Sequence, residues 1–228
     1  MSIAEKLQTI ADNEQKVYEA GKQAEHSDFW DTFQDNGNRT NYNNVFNSYW
    51  NEENFKPKYD IKIVGSATYV LNNLKVSDVE KALDACGVKL DTSGMTSANQ
   101  VFYGSAIKVL PTLDFSNVTS IYYTFTNMHG LVTIRKIILP KTAVGFGDNP
   151  FNNCGSLQNV EFVGTIYKRF TINHSNYLSH DTLMNIINVL ADYSGTSTTY
   201  TLTIGSTNLA KLTEEEKAIA TQKGWTLA

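Results

Sequence analysis

The chain has 228 residues, 41% hydrophobic and 11% aromatic, which is enough to bury a core and excludes a wholly disordered polymer. Charged residues make up only 18% and the net charge is -4, which excludes a nucleic-acid binder working by bulk charge. Asn (23) and Thr (24) take the place of the missing charge, a composition suited to turn-rich β structure.

No run reaches the roughly 18 consecutive apolar residues of a membrane span, so membrane insertion is not expected. The start, Met1-Ser2-Ile3-Ala4-Glu5-Lys6-Leu7, lacks a basic stretch followed by an apolar run, so no secretory signal is expected there. No terminal lipidation motif or anchor is visible either. Two cysteines, Cys86 and Cys154, are too few for a disulfide framework or a zinc site and read as two small buried thiols.

Residues 1–60 carry 11 acids against 6 bases, and the rest 12 against 13, which marks a compositional boundary near Pro57. Ile3, Leu7, Ile10, Val17, Gly21 and Ala24 follow steps of four and three, with Glu14 interrupting between Ile10 and Val17, predicting a coiled-coil-like helix over 1–28. So thin an apolar seam is marginal alone in water and needs a partner. One partner is the body of the same chain. The other is copies of itself, giving a homo-oligomer, a trimer by preference, with Ile3, Leu7, Ile10, Val17 and Ala24 at the interface.

Residues 29–60 interleave aromatics (Phe29, Trp30, Phe33, Tyr42, Phe46, Tyr49, Trp50, Phe55) with Asn, around the turn signal Asn36-Gly37. Two readings stay open: a glycan-binding surface, or a capping segment whose aromatics pack on the first repeat.

Residues 61–170 contain an internal pattern. Three units, beginning at Phe102, Phe125 and Phe151, each run from an aromatic through a polar turn to apolar residues. The Phe-to-Phe distances are 23 and 26 residues, within the roughly 20–29 of leucine-rich repeats. A unit of one strand and one loop cannot bury its apolar face alone, so stacking is expected, with the Phe residues in one ladder and Leu157 and its equivalents in another. Tyr69 to Leu74 reads as a degraded earlier unit.

Residues 171–228 are expected to cap that stack. Leu183, Ile186, Ile187 and Leu190 form one helical stripe after Ser179-His180-Asp181. Tyr200 to Gly205 alternates as a strand. Thr213-Glu214-Glu215-Glu216 is a capping box for a last helix ending near Gly224, with Trp225 and Leu227 packing back. The expected fold is therefore α+β: a short leucine-rich-repeat-like β-solenoid with an N-terminal helix and a C-terminal α/β cap.

The run Phe-Asn-Asn-Cys-Gly-Ser-Leu-Gln-Asn-Val-Glu-Phe at 151–162 resembles the BspA-like leucine-rich repeat, in which an aromatic, a Cys and a Leu recur at this spacing. The units at Phe102 and Phe125 lack the Cys and match less closely. The last segment, 204–228, is similar to the closing segment of such proteins in gut Firmicutes and their phages. The start, with Glu14 to Gly21 and Phe29-Trp30, is similar to short proteins encoded among phage tail genes. The resemblance implies surface recognition without catalysis and names no contact residues. Of the family's two settings, an adhesin needs export and anchoring whereas a virion protein is released by lysis, so the virion tail is preferred over the bacterial cell surface.

Catalytic motifs such as GxSxG, HExxH, a P-loop or GxGxxG are absent from the sequence. His174 and His180, six apart beside Asp181, and the spaced acids Asp28, Asp31 and Asp35 read as surface residues rather than as an acid–base or metal site. No catalytic residue, metal or cofactor is therefore expected. The candidate ligand contacts are Tyr42, Trp50, Tyr122, Tyr123 and Tyr167, with Tyr122 and Tyr123 on opposite faces if that stretch is a strand. The expectation is a non-enzymatic phage protein of tail-fibre or receptor-binding type. Its expected partners are other virion tail proteins and a host-surface glycan or protein. The alternatives are a structural virion component (decoration, whisker or adaptor) and a bacterial surface adhesin.

Overall fold

The computed structural model describes residues 53, 56, 60–67, 71–72, 74–142, 146 and 150–228. The expected helix over 1–28, its interface residues Ile3, Leu7, Ile10, Val17 and Ala24, and the contacts Tyr42 and Trp50 lie outside the described residues. The elements in order are β1 (Ile61–Ser66), α1 (Val79–Cys86), β2 (Leu90–Ser97), β3 (Val109–Asp114), β4 (Thr133–Ile138) and β5 (Asn159–Val163). There follow β6 (Phe170–Thr171), α2 (His180–Asn188), β7 (Tyr200–Thr203), α3 (Ser206–Leu209), α4 (Glu214–Gln222) and β8 (Trp225–Leu227).

The expected leucine-rich-repeat-like β-solenoid is overturned. The fold is α+β, and its strands fall into separate small parallel sheets, β1-β2, β3-β4-β5 and β6-β7-β8, rather than one continuous ladder. Side chains stand where the ladder would run on. Between β2 and β3, Thr92 Oγ1 accepts from the Asp114 N–H at 2.7 Å and donates to the Asp114 carbonyl at 3.1 Å. Beyond β5 the next element is a helix, α2, whose Thr182 and Asn185 meet the strand edge. Each substitution satisfies backbone groups that would otherwise lie unpaired, and it stops the sheet there.

Local stacking inside this fold follows the Phe pattern. Phe102, Phe125 and Phe151 are fully buried. Their rings stack at 5.6 Å between the first two and 5.0 Å between the last two, tilted by only 4° and 16°. Each Phe is followed two residues later by a left-handed residue: Gly104 (φ 65), Asn127 (φ 63) and Asn153 (φ 58). Glycine and asparagine are the residues that enter this region most readily, so the loops share one backbone path. Their backbones hydrogen-bond in series: Phe102 N–H to Thr124 O and Phe125 N–H to Pro150 O, both at 3.0 Å.

Cys154 sits three residues after Phe151, where its thiol donates to the Phe125 carbonyl at 2.9 Å. Burial pushes this thiol up to about 12. Cys86, expected to be buried, is half-buried at the end of α1. Sequence reasoning missed that helix, although Asp78 caps it through the Lys81 N–H and Gly87 (φ 69) ends it.

The C-terminal elements follow their local signals. Ser179 caps α2, and the capping box of Thr213 and Glu216 forms at α4. Gly224 takes φ 80, and Trp225 is buried, donating its indole N–H to Ala191 O at 2.8 Å.

Candidate functional site

Among the described residues, two surfaces carry exposed chemistry. The first is the loop edge of the Phe stack. The left-handed turn at Asn127 presents its amide outward, and Asn127 Nδ2 donates to the Tyr103 hydroxyl at 2.7 Å. Asn153 Nδ2 in turn donates to Asn127 Oδ1 at 2.7 Å. Three consecutive loops thus line up one phenol and two amides.

Tyr122 and Tyr123 precede Asn127 in the same loop. This stretch is not a strand, and Tyr123 itself is left-handed (φ 49), so the alternation of faces expected for the pair does not arise. The two rings lie 6.1 Å apart, tilted by 52°. Tyr122 is 42% exposed and Tyr123 half-buried. The Tyr123 carbonyl accepts from the Thr126 N–H, and the Thr126 carbonyl accepts from the Gly104 N–H, which ties the pair to the Tyr103 loop.

Tyr167 belongs to a different group. It is half-buried, and its carbonyl accepts the Tyr193 hydroxyl at 2.6 Å. Tyr193, Tyr200 and Trp225 pack on one another with centroids 5.3–6.2 Å apart. Burial raises the Tyr193 pKa. At this spacing the rings fill the space between them, so the group is packing rather than a receptacle.

Sequence reasoning missed Tyr177, the most exposed large hydrophobic among the described residues at 69%, and the supporting residues Tyr103, Asn127 and Asn153. The signal available for the last two was their fixed place two residues after a repeating Phe.

The second surface is the outer face of β3-β4-β5, an open depression of about 640 Å³ walled by the start of α2. Its floor includes Thr112, Arg135, Lys136 and Glu161, and its wall includes Ser179 and Asp181. Arg135 pairs with Glu80 of α1, and Lys136 lies 3.5 Å from Glu161.

His180 turns toward α4, where its Nε2 lies 2.8 Å from Glu216 Oε1, and His174 is exposed on the preceding loop. Glu216 is held below its usual carboxylate range, first by the Thr213 N–H and then by His180. Among the described residues no three His, Cys, Asp or Glu side chains converge as a metal site, and no helix is long and apolar enough to cross a membrane. Asp28, Asp31 and Asp35 lie outside the described residues. At the loop edge, aromatic faces beside amides suit a hydroxylated ligand. Comparison with family models, with curated proteins and with solved structures gives no match to this chain.

Proposed function

We propose that the chain is a non-enzymatic phage virion protein of tail-fibre or receptor-binding type, which recognises a host-surface glycan through its loop edge. The observation that carries the binding mode is exposed Tyr122, beside half-buried Tyr123, tied by its loop to the Tyr103–Asn127–Asn153 row. An aromatic face stacks on the C–H face of a sugar, while amides and a phenol hydrogen-bond its hydroxyls. Extending that chemistry over three loops suits an oligosaccharide better than a monosaccharide. The virion setting rests on the resemblance of residues 151–162 and of the two ends of the chain to phage-associated sequences.

Single glycan contacts are weak, and display on an oligomer multiplies them without new contacts. The heptad-like spacing of Ile3, Leu7, Ile10, Val17 and Ala24 supports that arrangement.

The test is a glycan array probed with the full-length chain, alongside Tyr122→Ala. The reading expects binding to a defined glycan set, weakened at least tenfold by the substitution. No glycan binding, together with a fixed stoichiometry against other virion proteins, would overturn it in favour of a structural component.

A further inference from the structure

We propose that the outer face of β3-β4-β5 is a second binding site, for a saccharide carrying an anionic group (carboxylate or phosphate) beside free hydroxyls. This rests on the reading of the chain as a glycan-recognition protein and names the ligand class of a surface distinct from the tyrosine edge.

The argument starts from a register shift. Ile134 pairs with Val160 and Ile137 with Phe162, so three positions of β4 span two of β5. In a regular strand, side chains alternate between faces. Here Ile134 and Ile137 both point into the core, and Arg135 and Lys136 between them both face out, opposite Glu161. The bulge therefore sets two adjacent cations on one face, where alternation would have left one. Bulges recur where a side chain must be re-aimed at a functional surface. β3 matches the pattern, with Pro111 and Thr112 outward between buried Leu110 and Leu113, which places the Thr112 hydroxyl beside Lys136 in the pairing register.

The cations keep donors to spare. Arg135 uses Nε on Glu80, leaving the two terminal nitrogens of its fork, and remains 59% exposed. The Lys136 ammonium approaches Glu161 only to 3.5 Å, longer than a good hydrogen bond, and both partners are substantially exposed. An incoming carboxylate or phosphate reaches Lys136 by displacing Glu161, against the local charge of Glu80, Asp78 and Asp84 on the Arg135 side and of Asp181 on the wall. The depression, about 640 Å³, has the size of a small-ligand site. Its other polar groups suit the rest of a sugar: Asp181 on the wall accepts from hydroxyls, and Thr112 serves either way. The ligand thus lays its acid on the bulge and its hydroxyls toward α2.

The experiment is calorimetric titration of the full-length chain with three probes: a hyaluronan tetrasaccharide (carboxylate), a glycerol-phosphate oligomer (phosphate) and a neutral maltotetraose. The proposal expects an acidic probe to bind at least tenfold more tightly than the neutral one, with affinity falling as salt rises. Lys136→Gln is expected to weaken that binding about tenfold, and Glu161→Gln to strengthen it by removing the competing carboxylate, a gain that misfolding does not mimic. Which acidic probe binds distinguishes a uronate from a phosphodiester ligand. Equal binding of all three probes, or acidic binding unchanged by both substitutions, would overturn it. The Lys136→Gln and Glu161→Gln titrations read this site, and the glycan array with Tyr122→Ala reads the tyrosine edge, so failure of one and failure of the other read out separately.

Discussion

The Asn185 side chain behaves toward Phe162 as a neighbouring strand would. Its Oδ1 accepts the Phe162 N–H at 2.7 Å and its Nδ2 donates to the Phe162 carbonyl at 3.2 Å. One turn earlier, Thr182 Oγ1 does the same for Val160, at 3.1 and 3.4 Å. Positions three apart share a helix face, so α2 closes the edge of β5 with two side chains. Asn185→Leu removes both bonds at similar volume and leaves two backbone groups unpaired. Expected is a loss of about 1–3 kcal/mol by urea denaturation, and of less for Asn185→Gln if the longer amide reaches the edge.

Phe125 is the centre of the ring stack, touching Phe102, Phe115 and Phe151. Phe125→Ala is expected to cost about 3–5 kcal/mol, a large part of the stability of an ordinary domain. Phe125→Leu, which fills more of the space, costs less. Thermal melting of the two variants beside the parent chain orders them.

The Cys154 thiol is held protonated by burial, with its folded value raised to about 12 from an ordinary 9.0. A raised folded value means that the stability it contributes is complete below about pH 9 and is lost as pH rises toward 12. The alkaline fall in the urea midpoint is therefore expected to be smaller in Cys154→Ala. Iodoacetamide at pH 8 is expected to label Cys86 in the native protein and Cys154 only after unfolding, as peptide mapping would show.

Glu216 has the opposite sign. Its folded pKa is lowered by the Thr213 N–H and by His180, so its contribution is present above the ordinary carboxylate range, about pH 4, and is lost below it. Glu216→Gln is expected to flatten the acid limb of a melting-temperature profile between pH 6 and 3. His180→Ala is expected to flatten it less, because the backbone hydrogen bond is the larger cause.

Signals confined to a few residues were legible in the sequence. The capping box Thr213-Glu216, the helix after Ser179-His180-Asp181, the glycine at 224 and the spacing of Phe102, Phe125 and Phe151 all appear where the chain predicts them. α1 went unread: its cap Asp78 and stop Gly87 are local signals, but its buried stripe of Val79 and Leu83 is too short to stand out. Tyr122 and Tyr123 are neighbours at one edge but do not alternate, because strand alternation fails where Tyr123 turns left-handed.

What the sequence determined by itself is local: caps, turns, and which residue types recur at which interval, since each depends on hydrogen bonds and sterics within one or two turns of chain. What only the tertiary structure decided is where the sheets end. That depends on Thr92 meeting Asp114, 22 residues on, and on Asn185 meeting Phe162, 23 residues back. Nothing near Thr92 in sequence distinguishes a threonine that enters a ladder from one that interrupts it; the difference lies in which backbone edge is within reach. The bulge at Arg135 and Lys136 leaves a trace within β4, where Ile134 and Ile137 are buried three rather than two apart, as Leu110 and Leu113 are in β3, but only the register against β5 identifies it as a bulge.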